Sequence, residues 1–299
     1  MWTLVTYQAE STPPGSPATS VAFADDDGTY WSTPELSGYA DVGAVARDWP
    51  TLGPVLRGVD PRSGTRVAAG RIVAPFPAPG KLICAGANYT DHLREMGIDS
   101  VPPTMEPFFF LLPSTSISAP DDTVDIPSDP AARVDWEAEL GVVIGARAKE
   151  VTVEEALDRV AGYTVVNDIS SRGRHRRPDP LAPPFAFDWL ASKGADGFTP
   201  IGPGLRPAWF IEDPRNLSIK LWRNDVNEQD GNTSDMIFDV AQLISAASHR
   251  MTLEPGDVIA TGTPAGVGAG KESFLADGDV LRIEIAGVGS LRNTMAGKA

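Results

Sequence analysis

Apolar residues in this chain recur in short runs separated by turn residues, and only rarely at helical spacing. Such runs predict strands at 81–85, 134–144, 163–167, 217–222, 258–261 and 280–285. Upstream, 1–7 reads as a strand, 12–17 as a Pro/Ser/Gly loop, and 21–24 with 29–31 as a hairpin across Asp25 to Gly28. Residues 36–57 carry a weak helical pattern at Leu36, Val42, Val45, Leu52 and Leu56. Thr152 and Glu155 form the T-x-x-E of a capping box, which predicts a helix from 152 to about 160. Ser234 is placed to cap another over 236–250, and Gly256-Asp257 and Gly278-Asp279 are turns ahead of strands. Prolines 75, 77 and 79 make 74–80 a stiff extended connector, dividing a small unit, 1–77, from a larger one, 78–299. No internal repeat is evident. The pattern predicts an α+β, β-rich fold, a body of mixed strands with a few covering helices preceded by a small α/β piece.

Composition adds limits. The 29 glycines and 27 prolines among 299 residues favour many turns over a helical bundle. Net charge is −15, which opposes binding to phosphate backbones or anionic lipid. No nucleic acid and no membrane partner are therefore expected. Five basic side chains face eight acidic ones before Lys81, against twenty and thirty-two from there on, so the larger unit carries most of the acidity. Arg172, Arg174, His175, Arg176 and Arg177 form one short basic cluster, suited to a small anion. Cys84 is the single cysteine, which excludes an internal disulfide and a Cys-rich zinc module. The N-terminus lacks signal-peptide character, and the longest apolar run, 108–112, is far short of the ~20 residues needed to span a membrane. A soluble cytoplasmic protein is expected.

The candidate chemistry lies in four segments. On a strand, Val134, Trp136, Ala138, Leu140 and Val142 share one face, and Asp135, Glu137 and Glu139 the other. Three adjacent carboxylates in a partly buried site cannot all ionise without a cation, and a hard divalent ion resolves the conflict. A solvated acidic face on an edge strand is the other reading. Asp168, closing an apolar strand, either faces the same site or opens a turn. His92 and Glu95 are one helical turn apart, either a carboxylate-oriented general base or a surface ion pair. Lys193 and the Gly/Thr-rich stretch from Thr261 to Gly268 offer a cation and backbone donors to a carboxylate. That stretch is neither a Walker A loop nor a Rossmann fingerprint, and no G-x-S-x-G elbow exists. His249 reads as a charge at a helix C-terminus.

Taken together, these segments resemble the fumarylacetoacetate hydrolase family, from about Lys81 to Asn293. The pieces fall in family order: Gly86-x-Asn88-Tyr89-x-x-His92-x-x-Glu95, then Asp135-Trp136-Glu137-x-Glu139-Leu140, then Ala161-Gly162-Tyr163 running to Asn167-Asp168. Lys193-Gly194-x-Asp196, Pro200-x-Gly202-Pro203, Asn232 to Met236, and Thr252 to Asp257 leading into Thr261-Gly262-Thr263-Pro264 complete them.

The resemblance implies a rolled mixed β-sheet around one divalent cation, Mg²⁺ or Mn²⁺, in a homodimer. By it, Glu137, Glu139 and Asp168 are the metal ligands, and His92 with Glu95 activates water. Lys193 sits near the substrate, while Arg172, Gly262 and Thr263 bind it. The implied reaction is hydrolysis of a C–C bond in a small oxo acid of the 2,4-dioxo type. An isomerase or decarboxylase of a related oxo-diacid, and a metal-binding protein with little turnover, are the alternatives. Two departures touch the pocket: Leu112 stands where lysine is usual, and Gly173-Arg174-His175 replaces a common Asp-x-Gln.

Overall fold

The computed structural model describes residues 1–9 and 18–298, so the loop read at 12–17 lies outside the described residues. The main sheet runs from Thr65–Val67 through Tyr30–Ser32, Ser20–Asp25, Trp2–Ala9, Thr199–Pro207, Val160–Asn167, Ala138–Ile144, Val258–Ala260 and Leu82–Gly86 to Phe108–Leu111. Its neighbours along this path are antiparallel except Val258–Ala260 beside Leu82–Gly86. A second sheet orders Val226–Asn232, Ser218–Arg223, Val280–Ile285, Gly289–Lys298 and Thr123–Pro127. The strand-rich α+β expectation therefore holds.

The first strand joins the large sheet directly, with Leu4 opposite Leu205. The proline segment is pinned, since Phe76 is fully buried and the Pro75 carbonyl accepts the Gly43 N–H. Thr199–Pro207 is a central strand that the pattern did not predict, since prolines and glycines are uncommon within strands. One of those glycines answers to close packing. A Cβ on Gly204 would meet the Leu4 carbonyl oxygen at 1.9 Å, so this strand and the first can pair this closely only without one.

The helices differ in detail from expectation. The 36–57 pattern resolves into Val42–Arg47, capped by Asp41, and Trp49–Leu56. The Thr152/Glu155 capping box forms, but its helix is one turn, Val153–Ala156, continued by a 3-10 turn until the strand begins at Val160. Ser234 does not cap the long helix. That helix is Val240–Arg250, capped by Asp239 in a box with Gln242. Residues 236–238 are held extended instead: Met236 bridges to Tyr89, the Ile237 N–H donates to the Asn88 carbonyl, and Asn88 Oδ1 accepts the Phe238 N–H.

The predicted strand 134–144 is broken in two. Val134–Asp135 pairs with Ser170–Ser171, and Ala138–Ile144 pairs with Val160–Asn167. Trp136 and Glu137 lie in the gap, where Glu137 N–H donates to Asn167 Oδ1 and the Asp168 N–H to the Glu137 carbonyl. Matching interruptions in two central strands thus place Glu137 and Asp168 side by side. Among the described residues, no helix is long and apolar enough to cross a membrane.

Candidate functional site

Glu137, Glu139 and Asp168 converge at this break, each with a carboxylate oxygen within 4.8 Å of the others. All three are buried, so the solvated edge-strand alternative is not realised. Lys193 Nζ, from the short helix Trp189–Lys193, donates to Glu137 Oε2 at 2.8 Å and to Asp168 Oδ2 at 2.6 Å. Arg172 donates to Glu137 Oε1 at 2.6 Å and through Nε to Asp135 Oδ2 at 2.9 Å.

Asp135 is also buried but stands apart from the triad. It accepts the N–H groups of Trp136, Gly268 and Ala269 as well as Arg172. It therefore fastens the glycine-rich loop and Arg172 to the carboxylate strand. In an Asp135→Asn protein, the amide nitrogen would face either the Ala269 N–H and Arg172 Nε or the Trp136 and Gly268 N–H groups, donor against donor. Because the partly buried Arg172 keeps Glu137 as a partner, we expect a loss of about 1–3 kcal/mol in urea unfolding.

Charge balance tests whether a divalent cation suits the site. Four carboxylates, at positions 135, 137, 139 and 168, face two cations, Arg172 and Lys193. Burial pushes Glu137 upward, yet Lys193, Arg172 and His92 outweigh it and hold the group at about 2. Burial, with Asp168 and Glu137 beside it, drives Glu139 well above the usual carboxylate range. Burial likewise lifts Asp168 to about 6 against the pull of Lys193. Without a further cation the cluster holds protons; one divalent ion would cancel its two excess charges. Asp168 Oδ1 is buried with no hydrogen-bond partner, a lone pair left for such an ion. The donor set is all oxygen, as Mg²⁺ and Mn²⁺ prefer. The residues fit the group.

The second element is the helix Thr90–Glu95. It lies within 89–99, a polar stretch whose sequence suits a lid, and it makes several contacts with the rest of the fold. Tyr89 is fully buried, Leu93 packs inward, and Asn88 donates to the Phe238 and Thr261 carbonyls. Asp91 and Glu95 accept the Ala265 and Gly266 N–H groups of the glycine-rich loop. His92 Nδ1 lies 3.0 Å from Glu95 Oε2, and both line one cavity of about 350 Å³ with Glu137, Glu139, Asp168, Arg172 and Lys193. Burial raises Glu95, but the bonds from His92 and Gly266 prevail and hold it below the usual range.

Gly262 and Thr263 also line the cavity, but their donors are partly spent. Gly262 N–H donates to Glu139 Oε2, and the Thr263 hydroxyl donates to the Ala138 carbonyl while accepting from Gln229. Gln229 escaped sequence reasoning, although it is fully buried and also accepts the Ala138 N–H. Its strand, Val226–Asn232, is so polar that nothing singles this residue out. Phe110 and Trp189, which line the cavity together with His175, were not singled out either. Of the two departures, Leu112 packs into the core and is not among the lining residues, whereas His175 is. Gly173 lies against the Ala131 carbonyl oxygen, which a Cβ would meet at 1.8 Å, so no aspartate fits there without a shift. His249 sits in the last turn of Val240–Arg250 with Nδ1 at 2.9 Å from the Ser245 carbonyl, outside the cavity.

Comparison with known proteins agrees with this arrangement. The chain is 38% identical over 266 residues to 2,4-didehydro-3-deoxy-L-rhamnonate hydrolase of Sphingomonas sp. (strain SKA58), covering 88% of this chain and 86% of that one. It is 42% identical over 224 residues to the mitochondrial oxaloacetate tautomerase fahd2 of Xenopus laevis, covering 74% and 67%. Among solved structures, maleylpyruvate hydrolase of Sphingobium sp. SYK-6, in complex with manganese(II) and pyruvate, superposes with a TM-score of 0.78 at 29% identity over 100% of both chains. The pattern of the fumarylacetoacetate (FAA) hydrolase C-terminal region matches residues 81–296. A mixed sheet that buries an acidic triad in one cavity with a His–Glu pair, together with this match, establishes that the chain belongs to the fumarylacetoacetate hydrolase family.

Proposed function

We propose that the chain hydrolyses the C3–C4 bond of a 2,4-dioxo acid, using a divalent cation held by Glu137, Glu139 and Asp168. The carrying observation is one cavity lined both by this triad and by the His92–Glu95 pair. When bound, the ion supplies Lewis-acid polarisation of the substrate's oxygens. Glu95, accepting a hydrogen bond from Nδ1–H, leaves His92 Nε2 as the basic nitrogen that removes a proton from water. The water oxygen then joins the acyl carbon, the C3–C4 bond breaks and C3 gains a proton. A carboxylic acid and pyruvate result. Lys193 and Arg172 offset the negative charge that develops, and Gly262 and Thr263 border the carboxylate end. The names of two relatives, a 2,4-didehydro-3-deoxy-L-rhamnonate hydrolase and a maleylpyruvate hydrolase, support this reading.

A second reading is proton transfer without water attack, in an isomerase, decarboxylase or tautomerase of an oxo-diacid. The oxaloacetate tautomerase relative favours it, since the same His–Glu pair can move a proton between carbon and oxygen. Turnover in H₂¹⁸O decides between them. Hydrolysis places one ¹⁸O in the released acid, whereas unlabelled product from every 2,4-dioxo acid tried would reverse the preference. We propose in addition that the chain assembles as a homodimer. Sedimentation should return about twice 31.7 kDa at micromolar concentration, and a mass near 31.7 kDa would refute it.

A further inference from the structure

Aromatic rings from three separate elements line the same cavity, with Lys193 Nζ 5.6 Å from the centroid of the Phe110 ring. Phe110 comes from the strand Phe108–Leu111, Trp189 from the helix Trp189–Lys193, and His175 ends the turn Arg172–His175. The Phe110 and Trp189 rings stack at 4.8 Å with 27° between their planes, and His175 meets Trp189 edge-on at 4.4 Å. The wall is braced, because the Asp188 N–H donates to the His175 carbonyl and Asp188 caps the helix through the Ala191 N–H. All three rings are half-buried and line the cavity, so each has ring surface available to a ligand. Met96 extends the apolar side.

The charges point the same way. Arg172 and Lys193, the arginine and lysine in the lining, are each bound to two carboxylates already. Burial and these two cations, against the pull of Glu137, push His175 below the ordinary histidine range and so favour its neutral form. A substrate carrying a second carboxylate at its acyl end would find no uncommitted arginine or lysine among the described lining residues. A flat uncharged ring would find faces and edges to pack against. A volume of about 350 Å³, small among ligand pockets, suits one ring beside a pyruvate head.

Resting on the hydrolase reading above, we propose that Phe110, His175 and Trp189 form an acyl-end subsite for an aromatic group. The preferred substrates are then aroylpyruvates rather than dicarboxylic 2,4-dioxo acids. The reaction balances as aroylpyruvate plus water giving an arenecarboxylate, a proton and pyruvate.

Three ligands with one shared head test this by calorimetry on the Mn²⁺-loaded protein: oxamate, N-phenyloxamate and N-oxalylglycine. N-phenyloxamate is expected to bind roughly tenfold or more tighter than oxamate, and N-oxalylglycine no tighter. Trp189→Ala should erase the phenyl gain while oxamate affinity stays unchanged, a selective loss that general loosening of the fold would not produce. N-oxalylglycine binding as tightly as the phenyl compound, or no binding by any of the three, overturns the subsite, and both measurements need only the wild-type chain. Turnover of 4-phenyl-2,4-dioxobutanoate and 2,4-dioxopentanoate in H₂¹⁸O separates this inference from the reading beneath it. Phenyl-selective binding with no labelled acid sinks the hydrolase and keeps the subsite. Labelled acid from both compounds at equal efficiency keeps the hydrolase and sinks the subsite.

Discussion

Replacing Glu139 with glutamine is expected to abolish Mn²⁺ binding while leaving the metal-free protein as stable as wild type. The two halves of this result have different causes. In the metal-free chain, burial beside Asp168 and Glu137 favours the protonated form of Glu139, and glutamine is its neutral isostere. Its amide oxygen can keep the bond from the Gly262 N–H. What glutamine cannot supply is a charged oxygen for the ion. Wild type at a hundredfold excess of Mn²⁺ over its Kd should gain about 2.7 kcal/mol, a rise in Tm of roughly 5 °C. The variant should show no such rise in the same scan and no heat on titration. Glu137→Ala makes the contrast. It too should lose the ion, but it also strips a partner from both Arg172 and Lys193, at a cost of about 3–5 kcal/mol without metal. Mn²⁺ affinity of Glu139→Gln equal to wild type would remove Glu139 from the ligand set.

The other large effect belongs to His92. In the His92→Ala protein, kcat for 2,4-dioxo acid hydrolysis should fall by roughly 10²–10⁴-fold, the usual worth of a positioned general base. Mn²⁺ affinity should hold within about twofold, since His92 is no part of the triad. Glu95→Gln should cost less, because it orients the imidazole and braces the Gly266 N–H rather than touching water. The split matters, as a fall in both activity and Mn²⁺ affinity would mean that the helix Thr90–Glu95 merely holds the cavity together. Full activity in His92→Ala would take the base role away from it.

Much of the candidate site was legible in the chain because its residues lie close together in sequence. Glu137 and Glu139 are two apart on one strand, His92 and Glu95 three apart on one helical turn, and both spacings carry a geometric meaning. Alternation also placed Trp136, Ala138, Leu140 and Val142 in the core, where all four are buried. The same alternation erred at Asp135. It assumes an unbroken strand, whereas pairing partners change between Asp135 and Ala138 and leave Asp135 serving the Gly268 and Ala269 N–H groups.

Other parts depend on contacts between residues far apart in the chain, for which local pattern holds no record. The strand Thr199–Pro207 carries prolines and glycines uncommon within strands, and only its neighbours on both sides make it a central strand. Helix Val240–Arg250 starts at Asp239 rather than Ser234 because Asn88 and Tyr89, some 150 residues away, hold 236–238 extended. Gln229 and the ring wall of Phe110, His175 and Trp189 come from segments whose own composition points elsewhere.

By itself, the sequence determined which residue types could meet a divalent cation, which pair could move a proton, and that strands would carry them. Periodicity and short spacing are local quantities, and they survive any arrangement of the rest. Tertiary structure alone decided that four carboxylates would share two cations, that Asp135 would fasten the Gly268 and Ala269 N–H groups, and that aromatic rings would join the cavity's lining. Those outcomes depend on burial and on charges brought together across the fold, and neither exists until the chain has packed.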